Sequence, residues 1–164
     1  MHNMAMPPFL TSSVCAYNRL MADSFQGFTG MSVLGALDSR TMDDDALAQA
    51  LFLAPQAIVS HGTQDDPIFR YANRRALQLW EMSWETFTRL PSRFSAEAAD
   101  DIQSNREALL EAANEKGWVD TYSGVRISNT GKRFEISDTI LWNVVDSNGQ
   151  RHGQAAFIQD WRYL

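Results

Sequence analysis

A short strand pattern that runs directly into small helices is the feature of this sequence that most limits its fold. Ile68, Phe69 and Tyr71 form an apolar, β-prone run. Asn73 follows at once, and its side chain can cap a helix by accepting a backbone N–H bond. Apolar residues then recur at three- and four-residue spacings, while Ser83 supplies a second N-cap. The segment therefore predicts a strand-to-helix corner of an α+β domain.

The rest of the chain adds strands on both sides of this corner. Residues 57–61 are predicted as a first strand and residues 68–72 as its antiparallel return. A longer helix is predicted over residues 96–116, with Gly117 ending it. Three strands follow, separated by Asn/Gly turns: residues 118–128, 132–145 and 152–163. The order predicts an α+β fold with one five-stranded antiparallel sheet and helices packed on one face.

The N-terminal quarter has a weaker pattern. Residues 1–40 show little sustained periodicity and are predicted to be a weakly structured leader, with residues 41–164 as the domain. An alternative is that translation begins at Met21, Met31 or Met42, which intact mass would decide. An amphipathic helix is predicted from Thr41 onward, and it either packs on the core or pairs with a second copy.

Composition limits the function classes. The 164 residues fit one domain, and 45% hydrophobic content is typical of a globular chain. The net charge of −6 argues against nucleic acid as a partner. Cys15 is the single cysteine, which favours a reducing, cytoplasmic location. The start of the chain lacks signal-peptide features, and no run reaches the roughly 20 apolar residues of a membrane helix.

The sequence contains no recognisable enzyme motif. Gly-rich phosphate loops, nucleophile elbows and metal-spaced ligand sets are missing, and His2, His61 and His152 are isolated. Polar residues nevertheless fall among apolar ones in the last three strands. Asp138 alternates in phase with five apolar residues, which are Phe134, Ile136, Ile140, Trp142 and Val144. Asp138 is expected to hold a ligand's polar group, to pair with an arginine, or to reach water at a strand bend.

A second set of candidate residues lies on the preceding strand. Tyr122 is predicted to share a face with Asp120 and Arg126, with Trp118 at the start of that strand. Aromatic and polar groups that converge on a concave surface are typical of small-ligand sites, although large aromatics on a sheet also simply fill a core.

Several separated motifs together resemble the MEKHLA domain family. They are residues 67–73 (PIFRYAN), 80–84 (WEMSW), 90–97 (LPSRFSAE), 122–131 (YSGVRISNTG), Trp142 with Asn143, 153–156 (GQAA) and Trp161. The resemblance covers residues 43–164. This family is similar to PAS domains, and it occurs in stand-alone proteins of bacteria and algae and at the C-terminus of plant class III homeodomain-leucine zipper factors. Because the chain has no homeodomain or zipper heptads, it resembles the stand-alone type.

The resemblance implies a PAS-like sensory or regulatory module and offers no catalytic residues. A PAS-like flavin photosensor needs a cysteine on the helices after the first hairpin, and residues 73–116 contain none, which excludes flavin-cysteinyl photochemistry. Residues 96–116 lack His, Met, Cys and Tyr, which disfavours haem. The cofactor, if any, is therefore unknown.

Three functions remain open at the level of sequence. The leading one is a sensor that binds a small ligand or a protein partner, a second copy included, with Asn73, Tyr122, Arg126, Asp138 and Trp142 as candidate ligand-binding residues. The second is an enzyme acting on a hydrophobic ligand through a buried carboxylate, Asp138 or Asp120. The third is an interaction domain with a filled core.

Overall fold

A computed structural model describes residues 6–164 of the chain. The helices are α1 (Ser12–Thr29), α2 (Asp44–Leu53), α3 (Arg74–Trp80), α4 (Trp84–Phe87) and α5 (Asp100–Lys116). The strands are β1 (Ala57–His61), β2 (Phe69–Ala72), β3 (Trp118–Ile127), β4 (Arg133–Val145) and β5 (Arg151–Tyr163). The α+β class and the five strands predicted from the sequence are confirmed.

All five strands form one antiparallel sheet in the order β2-β1-β5-β4-β3. The last strand of the chain, β5, lies in the centre, between β1 and β4. The C-terminal meander therefore pairs with the N-terminal hairpin through β5. The complete sheet contains strands from both halves of the domain.

The strand-to-helix corner forms as the sequence predicts. The side chain of Asn73 accepts a hydrogen bond from the backbone N–H of Ala76 and begins α3. The side chain of Ser83 accepts one from the backbone N–H of Thr86 and begins α4. Gly117 ends α5 with a φ of 91°, a conformation that L side chains rarely adopt.

One face of the sheet packs against α3, α4 and α5. The buried apolar residues on this side form one cluster that includes Leu79, Trp80, Phe87, Phe134 and Ile158. We call it the inner face, because the candidate site described below lies there.

The opposite face of the sheet is covered by α1, which corrects two predictions. The prediction of a weakly structured leader is wrong for residues 6–40, since α1 takes up 18 of them and buries Tyr17, Met21 and Phe25 against the sheet. Residues 1–5 lie outside the described part of the chain. The helices consequently pack on both faces of the sheet and not on one. The physical reason is that the apolar side chains of β4 and β5 on this side need a cover, and α1 supplies it.

The helix α2 begins at Asp44, three residues after the predicted start at Thr41, with the Asp43 side chain accepting from the Ala46 N–H. Its apolar residues Leu47, Ala48 and Leu51 are all buried within the chain. The core-packing alternative for this helix therefore describes the structure. Among residues 6–164, no helix is both long enough and apolar enough to cross a bilayer.

Candidate functional site

An internal cavity lies between the inner face of the sheet and the helices α3 and α5. It has a volume of about 50 Å³. Since a water needs about 10–15 Å³ by such a measure, the cavity has room for roughly three to five water-sized groups. Most of its lining is apolar and includes Val59, Phe69, Leu110, Ile136, Leu141 and Ile158.

Two of the residues proposed from the sequence, Tyr122 and Arg126, meet at this cavity. Arg126 is 6% exposed, and its guanidinium donates to the Tyr122 hydroxyl and, at 2.8 Å, to the Val125 carbonyl oxygen. Gly124 leaves room for it, because a Cβ there would lie 2.9 Å from Nη1 of Arg126. The lack of a side chain at Gly124 thus lets the guanidinium fold back over β3.

A second buried arginine lines the cavity, and sequence reasoning missed it. Arg106 on α5 is 7% exposed, and its Nη2 donates to the hydroxyl of Ser92 at 2.7 Å. Burial and, to a smaller extent, the positive charge of Arg126 together lower the pKa of Arg106 to about 10. Within residues 6–164, neither arginine forms a salt bridge with a carboxylate. Two like charges are therefore buried together without a direct salt bridge, and the more distant groups of Glu107 and Asp66 are among those that favour the charged form of Arg106.

His61 at the end of β1 also lines the cavity and is 8% exposed. Its Nδ1 lies 3.0 Å from the carbonyl oxygen of Gly62, which requires a proton on Nδ1 and leaves Nε2 as an acceptor. In the described part of the chain Nε2 has no hydrogen-bond partner. The nearby amide of Gln154 donates instead to the carbonyl oxygen of Leu110, at 3.0 Å.

Four residues separate this cavity from a surface cleft. His61, Arg106, Leu110 and Gln154 line both the internal cavity and the outer cleft, whose rim carries Asp65, Asp66, Glu107 and Arg151 among others. The side chains of this wall come from β1, α5 and β5.

Asn73, proposed as a ligand-binding residue, lies outside the cavity and has a structural role. Its Oδ1 accepts from the backbone N–H of Ile58 (2.9 Å) and of Ala76 (3.1 Å). Its Nδ2 donates to the carbonyl oxygens of Gln56 (2.7 Å) and Leu51 (3.1 Å). All of its hydrogen-bonding capacity is used within the chain, so none is left for a ligand.

Trp142, also proposed as a ligand-binding residue, points to the other face of the sheet. It is fully buried under α1, and its indole N–H donates to the carbonyl oxygen of Met21 at 3.1 Å. It forms an edge-to-face pair with Phe25, with ring centroids 4.9 Å apart. This residue anchors α1 to the sheet.

Asp138 does not lie among the apolar residues with which it alternates in sequence. Its φ is 47°, it is exposed, and the alternation of β4 changes phase there. Phe134 and Ile136 before it lie on the inner face, whereas Ile140 after it lies under α1. The prediction that these residues share one face is wrong, and the alternative of a strand bend that reaches water describes Asp138.

A similar irregularity separates the residues expected together on β3. Thr121 has a φ of 59°, and the pairing with β4 shifts on both sides of Tyr122. Asp120 is consequently exposed, and Trp118 packs in the cluster under α1. Neither of these residues reaches the cavity with Tyr122.

His61 should make the stability of the domain depend on pH. Burial, with a smaller effect from the charges of Arg106 and Arg151, lowers the pKa of His61 from about 6.5 to about 4, while the Gly62 carbonyl and the Gln154 side chain oppose the change. The unfolded chain therefore binds more protons between these values. Stability is complete above about pH 6.5 and falls by roughly 3 kcal/mol at most on acidification to about pH 4.

The measurement is the urea-unfolding free energy at several pH values for the protein and for His61→Gln. The two chains differ only at residue 61, so the difference between their pH profiles isolates His61. The native protein should lose up to about 3 kcal/mol more than the variant between pH 7 and pH 4. Parallel pH profiles would contradict the assignment.

Solved structures with similar folds define the class of domain. One is the PAS domain of a protein from Colwellia psychrerythraea, with a TM-score of 0.58, 19% identity, and coverage of 71% of this chain and 92% of that one. An RNA-binding light-oxygen-voltage receptor gives a TM-score of 0.59 and 23% identity over 70% of this chain and 32% of the receptor. A light-oxygen-voltage domain from the blue-light activated histidine kinase of Erythrobacter litoralis EL346 gives 0.53 and 18% identity, covering 67% and 96% of the two chains. The chain has the fold of PAS sensor domains.

A family model narrows this class. The model of the MEKHLA domain matches residues 15–163, so the match includes most of α1 and nearly the whole described chain. This protein belongs to the MEKHLA domain family.

Curated relatives are plant homeobox-leucine zipper proteins. ATHB-9 of Arabidopsis thaliana is 28% identical over 151 residues, which are 89% of this chain and 17% of that protein. HOX29 of Oryza sativa subsp. indica is 23% identical over 158 residues, 94% of this chain and 18% of that protein. The chain thus spans less than a fifth of the length of these relatives. They do not support the predicted resemblance to the stand-alone type.

Proposed function

We propose that this domain is a sensory module that binds a small molecule in the cavity between the sheet and α5. The observation that carries the proposal is an internal cavity lined by buried polar groups whose charge or hydrogen-bonding capacity is only partly paired within the described chain. Nε2 of His61 is buried without a hydrogen bond, and Arg106 and Arg126 are buried without a direct salt bridge. Burying polar groups of this kind destabilises a fold unless a partner forms hydrogen bonds or ion pairs with them.

A ligand in this position would contact elements that are far apart in the chain. The cavity is lined by Arg106 and Leu110 from α5, by His61 from β1 and by Arg126 from β3. A molecule that touches all of them favours the arrangement in which α5 packs closely on the sheet. Binding would thereby shift the population between two positions of α5, and a protein partner or a second copy of the domain would read the change.

The other two functions have less support. Asp138 and Asp120 are both exposed and away from the cavity, so neither supplies the buried carboxylate of the proposed enzyme. A pure interaction domain would need a filled core, and the cavity argues against it. The net charge of −6 supports a partner other than nucleic acid, and the buried, unpaired Cys15 fits the cytoplasmic location that we propose.

Native mass spectrometry of the protein purified from its own host tests the proposal. The native mass should exceed the denatured mass by that of a small molecule. Ala156, which is 8% exposed and lines the cavity, offers a variant: Ala156→Leu fills the space and should lose the bound mass while the chain stays folded. Equal native and denatured masses for the wild type, with only protein complexes present, would favour the interaction domain instead.

A further inference from the structure

The two buried arginines indicate the chemistry of the ligand. Resting on the proposed function, we propose that the cavity binds a short-chain carboxylate, with its carboxylate group on Arg106 and Arg126 and its hydrocarbon end against the apolar lining. The first step is the charge balance. Both guanidiniums line the same cavity, and each is more than nine-tenths buried. A single anion there would neutralise both, whereas the described chain supplies no carboxylate that pairs with either one.

The donors that remain support the same step. A guanidinium carries five N–H donors in a fixed fork. Arg106 uses one of its nitrogens on Ser92, and Arg126 uses two on Tyr122 and Val125. The other N–H groups have no partner among residues 6–164. Planar forks of this kind bind carboxylate or phosphate oxygens in pairs, with charge-assisted bonds.

The lining and the volume favour carboxylate over inorganic phosphate. Apart from the arginines, the space is bounded mainly by side chains such as Leu110, Ile136 and Leu141. Inorganic phosphate has oxygens on every side and would place some of these oxygens against apolar side chains. A short fatty acid would instead place its methylene groups against those side chains. Room for roughly three to five water-sized groups suits an acid of about the size of propionate.

His61 is compatible with this ligand but does not bind the carboxylate. In its neutral form Nε2 is an acceptor, and it remains neutral because burial keeps its pKa near 4. A carboxylate has no hydrogen to offer this nitrogen. An ordered water between the ligand and Nε2 would donate one hydrogen bond to the carboxylate and one to Nε2.

The test is the thermal stability of the full chain titrated with sodium propionate, propionamide and inorganic phosphate at constant ionic strength. Propionamide has the shape of propionate without its charge. Propionate should raise Tm in a saturable manner, and propionamide should not. Stabilisation by both compounds alike, or by phosphate alone, would overturn the carboxylate proposal while leaving a ligand-binding cavity.

Arg106→Met separates a binding role of this arginine from a structural one. Replacing an unpaired buried charge by an apolar residue of similar length should leave the free domain as stable as before or more stable. Propionate affinity should fall at least tenfold, because the anion loses a charged hydrogen-bonding partner. Arg93→Met is the matched control: Arg93 is half-exposed in the outer cleft, pairs with Asp66 at 3.2 Å and does not line the cavity. It should keep the native affinity.

The outcomes distinguish failure of this inference from failure of the proposed function. Unchanged propionate affinity in Arg106→Met, or an uncharged molecule in the native mass spectrum, would overturn the inference but not the sensor. An empty native protein that responds to none of the three compounds would overturn both. If Arg106→Met does not fold, that result itself contradicts the unpaired-charge argument, and the propionate-propionamide comparison on the native chain still decides the ligand class.

Discussion

A chain that begins at Met42 should fail to fold as a monomer. Such a chain lacks α1, which places Tyr17, Met21 and Phe25 at 3% exposure or less against the sheet. Burying one large apolar side chain stabilises a fold by about 1.5–3 kcal/mol. The loss of three of them amounts to roughly 5–9 kcal/mol, which is comparable with the whole stability of a typical domain. Trp142 would also lose its cover and its hydrogen bond to Met21.

The measurement is urea unfolding followed by circular dichroism, together with size-exclusion chromatography. The Met42 chain should show no cooperative transition, or it should associate through the uncovered face. A chain that begins at Thr11 is the control, because it keeps α1 and loses only the segment that stacks Phe9 on Phe52. It should unfold cooperatively with a modest loss of stability. A Met42 chain with the native midpoint would show that α1 is dispensable, and would revive the idea of a later translation start.

The sequence of α1 carries a helical pattern of apolar residues. Tyr17, Met21, Phe25 and Phe28 recur at spacings of four, four and three residues, which is the periodicity of one helix face. Polar residues such as Asn18 and Ser24 interrupt this pattern, although both are buried in the structure. The helix was therefore difficult to recognise from the sequence, because part of its buried face is polar.

The strands themselves were predicted within one residue, but not the face on which each residue lies. In a regular strand, successive side chains point to opposite faces of the sheet. This alternation is disrupted where a residue other than glycine adopts a positive φ. Thr121 and Asp138 do so. Threonine rarely adopts a positive φ, and aspartate adopts it more often than most residues but still uncommonly, so the sequence did not indicate either position. Tyr122 and Arg126 meet at the cavity as predicted, although the pairing of β3 with β4 also shifts between them. Asp138 and Trp142 were assigned to the wrong face, because the prediction assumed an uninterrupted alternation of side chains along β4, whereas the alternation changes at Asp138.

The missed arginine had a recognisable signature. Arg106 lies four residues after Ile102 and three before Leu109, so it shares one helical face with these two apolar residues. A charged residue on such a face is either solvated at its end or buried with a function. A charged residue on an apolar helix face would therefore have been a better indicator of the site than the aromatic residues of the sheet. Most of those aromatic residues pack in the two hydrophobic clusters.

Replacing Asn73 with alanine should be among the most destabilising single substitutions in the domain. The side chain is fully buried and joins four backbone groups that belong to three neighbouring segments: the end of α2, the start of β1 and the start of α3. Each hydrogen bond contributes about 1 kcal/mol, and the freed carbonyl oxygens of Leu51 and Gln56 lie where water enters poorly. We expect a loss of about 3–5 kcal/mol in the free energy of unfolding.

Two further variants show whether this loss comes from the hydrogen bonds or from capping alone. Ser83→Ala removes the exposed cap of α4 and should cost about 1 kcal/mol or less. Asn73→Asp keeps the acceptor that caps α3, but it places a second oxygen against the carbonyl oxygens of Leu51 and Gln56. If capping were the whole role of Asn73, Asn73→Asp would be nearly as stable as the native protein in urea unfolding. We expect it to be as unstable as Asn73→Ala at neutral pH, because two acceptors would face each other in a buried position.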